Sequence, residues 1–231
     1  IDHPDGLFDP PEYLLRLQQA RFLQLCRQEA QRLGQPTESN EDQWRPVEAA
    51  LLDRWAAERA QHADSPLCRP LYLVVEKILG RGERLPEQWA VHGTTGYEFL
   101  NTLNGLFVDR TAAKAFDAIY SRFTRQRIDF RDLAYECKKQ TMLVSMSSEI
   151  EVLAHQLDRI SEQNRWSRDF TLNTLRSAIR EVIACFPVYR TYITEAGMHE
   201  SDRLYVEQAV ARAKRKNPAT SASIFDFVRD V

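Results

Sequence analysis

Glycine is scarce in this sequence: only eight of its 231 residues are glycine, about half the usual share of about 7%. Five of the eight lie between residues 80 and 105. Between Leu106 and Phe186 there is neither glycine nor proline, so the two residue types that most often interrupt helices are missing there. The sequence therefore predicts a loop system over residues 80–105 and a long helical region after it.

The sequence also lacks long apolar runs and an excess of charge of either sign. No apolar stretch approaches the about 18 to 20 residues that a membrane-spanning helix needs. Lysine and arginine number 31 against 33 aspartate and glutamate, a formal net charge of −2, which argues against a basic nucleic-acid surface. We expect a soluble protein that binds neither nucleic acid nor a membrane.

Cysteine is infrequent and widely spaced. Cys26, Cys68, Cys137 and Cys185 form no C-x-x-C pair, and no histidine stands at metal-ligand spacing from them. We therefore expect no disulfide framework and no metal site, but buried free thiols in a reducing compartment, the cytoplasm. Because the sequence begins with Ile1 rather than methionine, we expect it to be an internal segment of a longer protein.

Start and stop signals predict most of the helices. An aspartate cap and a proline at Asp9 and Pro10 open the first helix, and Gly34 ends it. A second helix covers about 41–61 and tolerates Pro46 because that proline lies near its start. Apolar periodicity predicts further helices over about 109–123, 130–161, 172–186, 201–217 and from 221 onward.

One segment has the pattern of a buried strand. The apolar run Leu71–Val75 ends at Glu76, which predicts a strand over 71–76 buried on both faces, as in a parallel sheet. A lone strand cannot satisfy its backbone groups, so its partners must be concealed elsewhere in the sequence. A carboxylate at the end of such a strand is typical of (β/α)8 barrel enzymes. Asp2, just before the turn residues 4–6, has the same position at the end of a second strand.

Asp2 and Glu76 would then face one pocket from neighbouring strands. Two carboxyl groups about 5 to 5.5 Å apart are the equipment of retaining glycosidases and transglycosylases. The pattern alone leaves a second interpretation open, in which Asp2 is a turn residue and Glu76 pairs with a lysine or arginine.

Five blocks of sequence, taken in order, resemble one known family. They are residues 1–10 (IDHPDGLFDP), 73–79 (LVVEKIL), 91–101 (VHGTTGYEFLN), 104–109 (NGLFVD) and 185–192 (CFPVYRTY). Together they strongly resemble maltooligosyl trehalose synthase, of the α-amylase superfamily, over residues 1 to about 193.

The resemblance implies a reaction and two catalytic residues. Asp2 corresponds to the family's nucleophile and Glu76 to its general acid/base, while the third catalytic aspartate lies outside residues 1–231. The implied reaction is an intramolecular transglucosylation by a retaining double displacement. It converts the reducing-end α-1,4 bond of a maltooligosaccharide into an α,α-1,1 bond. No cofactor is expected, and the hydrolase that liberates trehalose is a candidate partner.

The expected fold is mainly α: a helical insert joined to a slice, one or two strands, of a catalytic (β/α)8 barrel. We expect residues 1–92 to belong to the barrel and residues 93–231 to form the inserted helical domain that covers the active site. Such a segment is expected to be inactive by itself.

The candidate substrate-binding residues lie beside the two carboxylates or in the glycine-rich loop. His3 and Lys77 flank the acids and either bind substrate or only orient the carboxylates. We hypothesise that the loop at residues 93–97 holds the released glucose, and that an aromatic ring stacks on a sugar face. Tyr189 and Arg190 either point to the cleft or tie the insert to the barrel. The full set is His3, Lys77, Trp89, Thr94, Thr95, Tyr97, Tyr189 and Arg190.

Two other functions stay open at this point. Another hydrolase or transglycosylase of the same superfamily would keep both carboxylates, and a product assay on maltopentaose would separate the two activities. Alternatively, the helical half is a non-catalytic interaction module, which an exposed apolar patch of several hundred Å² would favour.

Overall fold

The computed structural model describes residues 1–35, 41–62, 65–80, 82–195 and 197–231, with only the backbone described for 41–43. In the part of the chain so described, 63% is helix and 3% is strand, with one small parallel sheet, which confirms the predicted mainly α class. It divides into two compact units, Ile1–Leu106 and Phe107–Val231. The assignment of residues 1–92 to a barrel and of 93–231 to an insert stays a prediction.

The described part of the first unit contains three α-helices and the sheet. In chain order these elements are α1 (Pro10–Arg32), α2 (Glu41–Gln61), β1 (Val74–Val75), β2 (Gly93–Thr94) and α3 (Tyr97–Gly105). As predicted, the Asp9 carboxylate accepts a hydrogen bond from the backbone N–H of Glu12 at 3.0 Å, and Pro10 stands in the first turn. The acceptor satisfies one of the amide groups that a helix start leaves without a partner.

The buried face of α1 is centred on Leu14 and Gln18, both fully buried. Toward its C-terminal half α1 packs on α2: the rings of Phe22 and Trp55 are 6.0 Å apart. The indole N–H of Trp55 donates to the carbonyl of Leu67 at 2.9 Å. Burying this ring therefore leaves its polar atom satisfied.

The strand predicted over 71–76 is shorter in the structure. β1 covers Val74–Val75 and pairs in parallel with β2, Val74 with Gly93 and Val75 with Thr94. Before β1, side chains supply much of the pairing. Gln18 bonds to both the N–H and the carbonyl of Leu71, and the N–H of Leu73 donates to the His92 ring, while the backbone N–H of His92 donates to the carbonyl of Leu73. The backbone is thus satisfied without a longer ladder.

The predicted loop window 80–105 is only partly a loop. It contains β2 and the nine-residue helix α3. The glycines explain the difference, because Gly96 caps α3 with a φ of 101° and Gly105 is its last residue. No glycine lies between them, so the helix is uninterrupted.

The second unit is a helical bundle. Its helices are α4 (Ala113–Thr124), α5 (Phe130–Val144), α6 (Ser147–Glu162), α7 (Leu172–Cys185), α8 (Glu200–Lys216) and α9 (Ala222–Asp230). Helix α7 is central and packs against α5, α6, α8 and α9. The region 130–161, predicted to be one long or broken helix, is broken between Val144 and Ser147. Helix α8 starts after His199 rather than Ser201.

A buried carboxylate ties three helices of this bundle together. Glu181 of α7 accepts hydrogen bonds from the Tyr135 hydroxyl and from the Asn217 amide, the latter at 2.8 Å. The Lys139 ammonium lies 2.8 Å from its other oxygen. Burial raises the pKa of the Glu181 carboxyl, but the hydrogen bonds from Lys139, Tyr135 and Asn217 outweigh burial and hold the pKa below its ordinary value.

Replacing this carboxylate should weaken the bundle and change its response to acid. We expect Glu181→Gln to lower the free energy of unfolding by about 1.5 to 3 kcal/mol at pH 7, the usual worth of a hydrogen bond to a charged group. A carboxyl whose pKa is lowered by folding adds stability above its unfolded pKa of about 4.3, and that stability is lost as pH falls through the lower folded pKa. Urea unfolding between pH 3 and 7 should therefore show a shallower acid slope for the variant. Exposed Glu162→Gln serves as the control, and an equal slope change in both variants would contradict the prediction.

One apolar helix face of the second unit is exposed. Phe116, Ile119, Tyr120 and Phe123 of α4 are spaced as one helical stripe and are 56% to 86% exposed. Apolar periodicity predicted a helix in this region, but the described part of the unit does not bury its apolar face. Among the described residues, no helix combines the length and the apolar character needed to cross a membrane.

The four cysteines are free thiols in different surroundings. Cys68 and Cys185 are buried, Cys26 is half-buried and Cys137 is exposed. Burial raises the pKa of Cys68 and Cys185, which disfavours their reactive thiolate form. The expectation of buried thiols therefore holds for two of the four.

Candidate active site

The carboxyl ends of three parallel segments lie side by side in the first unit. The nitrogen of Ile1 donates to the carbonyl of Val74 at 2.9 Å, and the N–H of Glu76 donates to the carbonyl of Ile1 at 2.8 Å. This pair of bonds is the pattern of a parallel neighbour. Ile1 thus lies beside β1 on one edge, and β2 lies beside β1 on the other. These two segments are the partners that the predicted strand requires.

The register brings together three residues predicted to serve the site. Ile1, Val75 and Thr94 form one row, so Asp2, Glu76 and Thr95 are the next residue of each segment. Neighbouring parallel strands are about 4.8 Å apart, a spacing that suits carboxyl groups about 5 to 5.5 Å apart. Asp2 and Thr95 are exposed and Glu76 is partly exposed, so all three are open to a ligand.

A rigid turn follows Asp2. His3 has a left-handed backbone with a φ of 45°, a conformation that costs of order 1 to 3 kcal/mol outside glycine. The 3-10 turn Pro4–Gly6 comes next, closed by the N–H of Gly6 donating to the carbonyl of His3 at 3.0 Å. A Cβ atom at Gly6 would lie 2.8 Å from the His3 ring, so glycine is required where that ring packs.

Lys77 lies in a buried ion-pair cluster and not at the surface. Its side chain is 1% exposed, and its ammonium lies 2.9 Å from a carboxylate oxygen of Asp5 and 3.0 Å from one of Glu83. The carboxylate of Glu83 also accepts a hydrogen bond from the N–H of Gly80 at 2.7 Å. This burial favours an orienting role for Lys77 over contact with a substrate.

The glycine-rich loop is organised around a threonine. The Thr94 hydroxyl donates to the Glu98 carboxylate at 2.6 Å and accepts from the N–H of Gly96 at 3.1 Å. Thr94 and Tyr97 are half-buried, and Thr95 beside them is exposed. Trp89 is only 1% exposed, so it contributes to the core of the first unit and offers no ring face to a sugar.

Tyr189 and Arg190 lie in the second unit. They line a groove of about 590 Å³ together with parts of α5, α7 and the segment that follows α7. Tyr189 is 71% exposed, whereas the Arg190 guanidinium stacks 5.0 Å from the Tyr192 ring and donates to the carbonyl of Thr191. Their part in substrate binding stays a prediction.

A buried aspartate supports this segment. Asp202 of α8 is buried, and burial raises its pKa, opposed by a hydrogen bond from the backbone of Tyr192 and by the charges of His199 and Arg190. Asp202 thus holds the segment Arg190–Tyr192 to the start of α8.

Three residues that bond to the segments around the candidate site were not predicted from the sequence. Gln18 bridges the segments that precede β1 and β2, and Asp5 and Glu83 hold Lys77. Gln18 left a signal: a polar residue four positions after Leu14 and four before Phe22, inside an apolar stripe. Asp5 left none, because its ion pair with Lys77 joins distant parts of the chain. Among the described residues no cluster of three histidine, cysteine or acidic side chains is arranged to hold a metal ion.

Comparisons with known proteins agree with this reading of the fold. No family model matches the chain, and no curated protein does. Solved structures do match. The structure of maltooligosyltrehalose synthase from Arthrobacter ramosus is 24% identical in sequence and gives a TM-score of 0.62, and the match covers 99% of this chain and 22% of that chain. A point mutant of that enzyme gives 22% identity, a TM-score of 0.58 and coverage of 99% and 24%.

A third similar structure is the DSM5389 glycosyltrehalose synthase, with 25% identity and a TM-score of 0.51 over 97% of this chain and 23% of that one. The chain spans less than a quarter of the length of the solved structures it matches. The chain therefore has the fold of one segment of the maltooligosyltrehalose synthases, as the resemblance in its five sequence blocks predicts.

Proposed function

We propose that the protein containing this chain is an intramolecular transglucosylase that converts the reducing-end α-1,4 bond of a maltooligosaccharide into an α,α-1,1 bond. The observation that carries the proposal is the row formed by Asp2, Glu76 and Thr95 at the carboxyl edge of the parallel segments. The likeness in fold to enzymes named for trehalose synthesis supports it. A cytoplasmic location and docking of a trehalose-releasing hydrolase remain predictions.

The mechanism assigns one role to each carboxyl group. Protonated Glu76 gives its proton to the glycosidic oxygen while the Asp2 carboxylate forms a bond to the anomeric carbon, which releases glucose. The glucose stays bound and turns over. Its anomeric hydroxyl then attacks the same carbon, Glu76 takes the proton back, and the bond to Asp2 breaks with net retention.

The second step requires that glucose is kept and water is excluded. Thr95 is the residue next to Glu76 across the sheet, and the N–H of Thr95 donates to the carbonyl of Val75 at 3.0 Å, which fixes its backbone. Its exposed hydroxyl is therefore placed where it can hold a sugar hydroxyl beside the acid/base. Fixed hydrogen-bonding groups of this kind reduce the loss of orientation between the two steps.

A product assay on maltopentaose tests the proposal. The whole protein should yield a non-reducing pentasaccharide that ends in trehalose, with little free glucose. Thr95→Val should raise the ratio of glucose release to isomerisation several-fold, because a lost hydrogen bond of about 1 kcal/mol changes retention by that factor. Thr102→Val on exposed α3 is the matched control. Glucose and shortened maltooligosaccharides as the main products of the parent would instead identify a hydrolase.

The interaction module remains the second candidate, favoured by the exposed apolar face of α4. A large exposed apolar patch marks a contact surface. If the whole protein left maltopentaose unchanged but bound the trehalose-releasing hydrolase through this face, the module would replace the enzyme as the conclusion.

A further inference from the structure

A buried ion pair joins the two segments that carry the candidate catalytic carboxylates. Lys77 directly follows Glu76, and Asp5 lies three residues after Asp2. The Lys77 ammonium and the Asp5 carboxylate are 2.9 Å apart, and their side chains are 1% and 9% exposed. From this arrangement, which rests on the proposed function, we infer that the Lys77–Asp5 pair is a positioning device that sets the separation of the Asp2 and Glu76 carboxylates.

The burial pattern shows how one segment carries both the catalytic acid Glu76 and the buried anchor Lys77. Val75 and Lys77 are buried while Glu76 between them is partly exposed, which is the alternation of extended chain. The Lys77 side chain therefore extends into the interior of the unit, whereas the Glu76 side chain extends toward the open edge. The anchor and the acid are neighbours in sequence but do not compete for the same space.

Asp2 is held from both sides. Ile1 before it is bonded to β1 through Val74 and Glu76, and Asp5 after it is bonded to Lys77. The residues between, His3 and Pro4, have little freedom because of the left-handed φ and the proline ring. A change in the Lys77–Asp5 contact is thus transmitted to Asp2 through a short, stiff piece of chain.

Glu83 offers a matched comparison for Asp5, because it also balances the charge of Lys77. It contacts the same ammonium at 3.0 Å and its side chain is 7% exposed, close to the values for Asp5. Glu83 belongs to the segment after β1, so its ion pair with Lys77 does not join the two segments that carry Asp2 and Glu76. Asp5→Asn and Glu83→Gln therefore remove equivalent carboxylates, and only the first weakens the link between the two catalytic segments.

The test compares these two variants in the whole protein. Asp5→Asn should lower kcat for isomerisation of maltopentaose by about 10²-fold, the cost of a misplacement of about 1 Å, with KM nearly unchanged. Glu83→Gln should keep kcat close to that of the parent. Equal losses of kcat in both variants, or a loss confined to KM, would overturn the inference.

Crystal structures of both variants give a reading that does not depend on activity. The separation of the Asp2 and Glu76 carboxyl carbons should change in Asp5→Asn and stay unchanged in Glu83→Gln. An unchanged separation in Asp5→Asn would refute the positioning role even if the parent proved inactive on maltooligosaccharides. Inactivity of the parent would count against the proposed function alone.

Discussion

Asp2→Asn and Glu76→Gln should each abolish nearly all isomerisation of maltopentaose by the whole protein. Loss of the general acid/base costs about 10²- to 10⁴-fold in rate. Loss of the nucleophile should cost at least as much, because the covalent intermediate cannot form. Both residues stand at the exposed end of the parallel segments, so neither amide should disturb the core. Initial rates of formation of the non-reducing product measure the effect.

A control separates chemistry from folding. Glu87 is an exposed carboxylate in the same unit, and Glu87→Gln should keep the parent rate. The Asp2 and Glu76 variants should also keep the free energy of unfolding within about 0.5 kcal/mol of the parent value. A variant with Asp2→Asn that retained a tenth or more of the parent rate would contradict the nucleophile assignment.

Gln18→Leu should cause the largest loss of stability in the first unit. The Gln18 amide donates to the carbonyls of Leu71 and Ala90 at 2.9 and 2.8 Å and accepts from the N–H of Leu71 at 2.8 Å, and the side chain is fully buried. Leucine leaves those three backbone groups without their partner. At about 1 to 3 kcal/mol for each such group, we expect a loss of about 3 to 5 kcal/mol.

Tryptophan fluorescence can follow this unit during urea unfolding, because Trp44, Trp55 and Trp89 lie in it and Trp166 lies in the second unit. Gln28→Leu on the exposed face of α1 is the matched control and should change stability by no more than about 0.5 kcal/mol. Gln18→Glu should be destabilised at pH 7, since an ionised carboxylate cannot donate to either carbonyl. Equal midpoints for Gln18→Leu and Gln28→Leu would show that the bridge adds nothing.

Local signals predicted most of the helices because they act within a few residues. The Asp9 cap, the absence of breakers after Leu106 and the end of the helix predicted over 172–186 all depend on neighbours in sequence, and the structure follows them. The strand at Val74–Val75 was also found, because an apolar run that ends in an acid is a local pattern. Its partner β2 was missed, since two residues of a glycine-rich stretch carry no strand signal of their own.

The sequence by itself determined the helical character of the chain, the two candidate carboxylates and the five blocks that resemble a family. Only the tertiary structure decided what surrounds those carboxylates. It buried Lys77 between Asp5 and Glu83. It also buried Trp89, whose ring is then not exposed for stacking on a sugar. The strand register placed Asp2, Glu76 and Thr95 in one row. The physical reason is range: caps and periodicity depend on adjacent residues, whereas an ion pair or a strand register joins groups some seventy positions apart and exists only once the chain has folded.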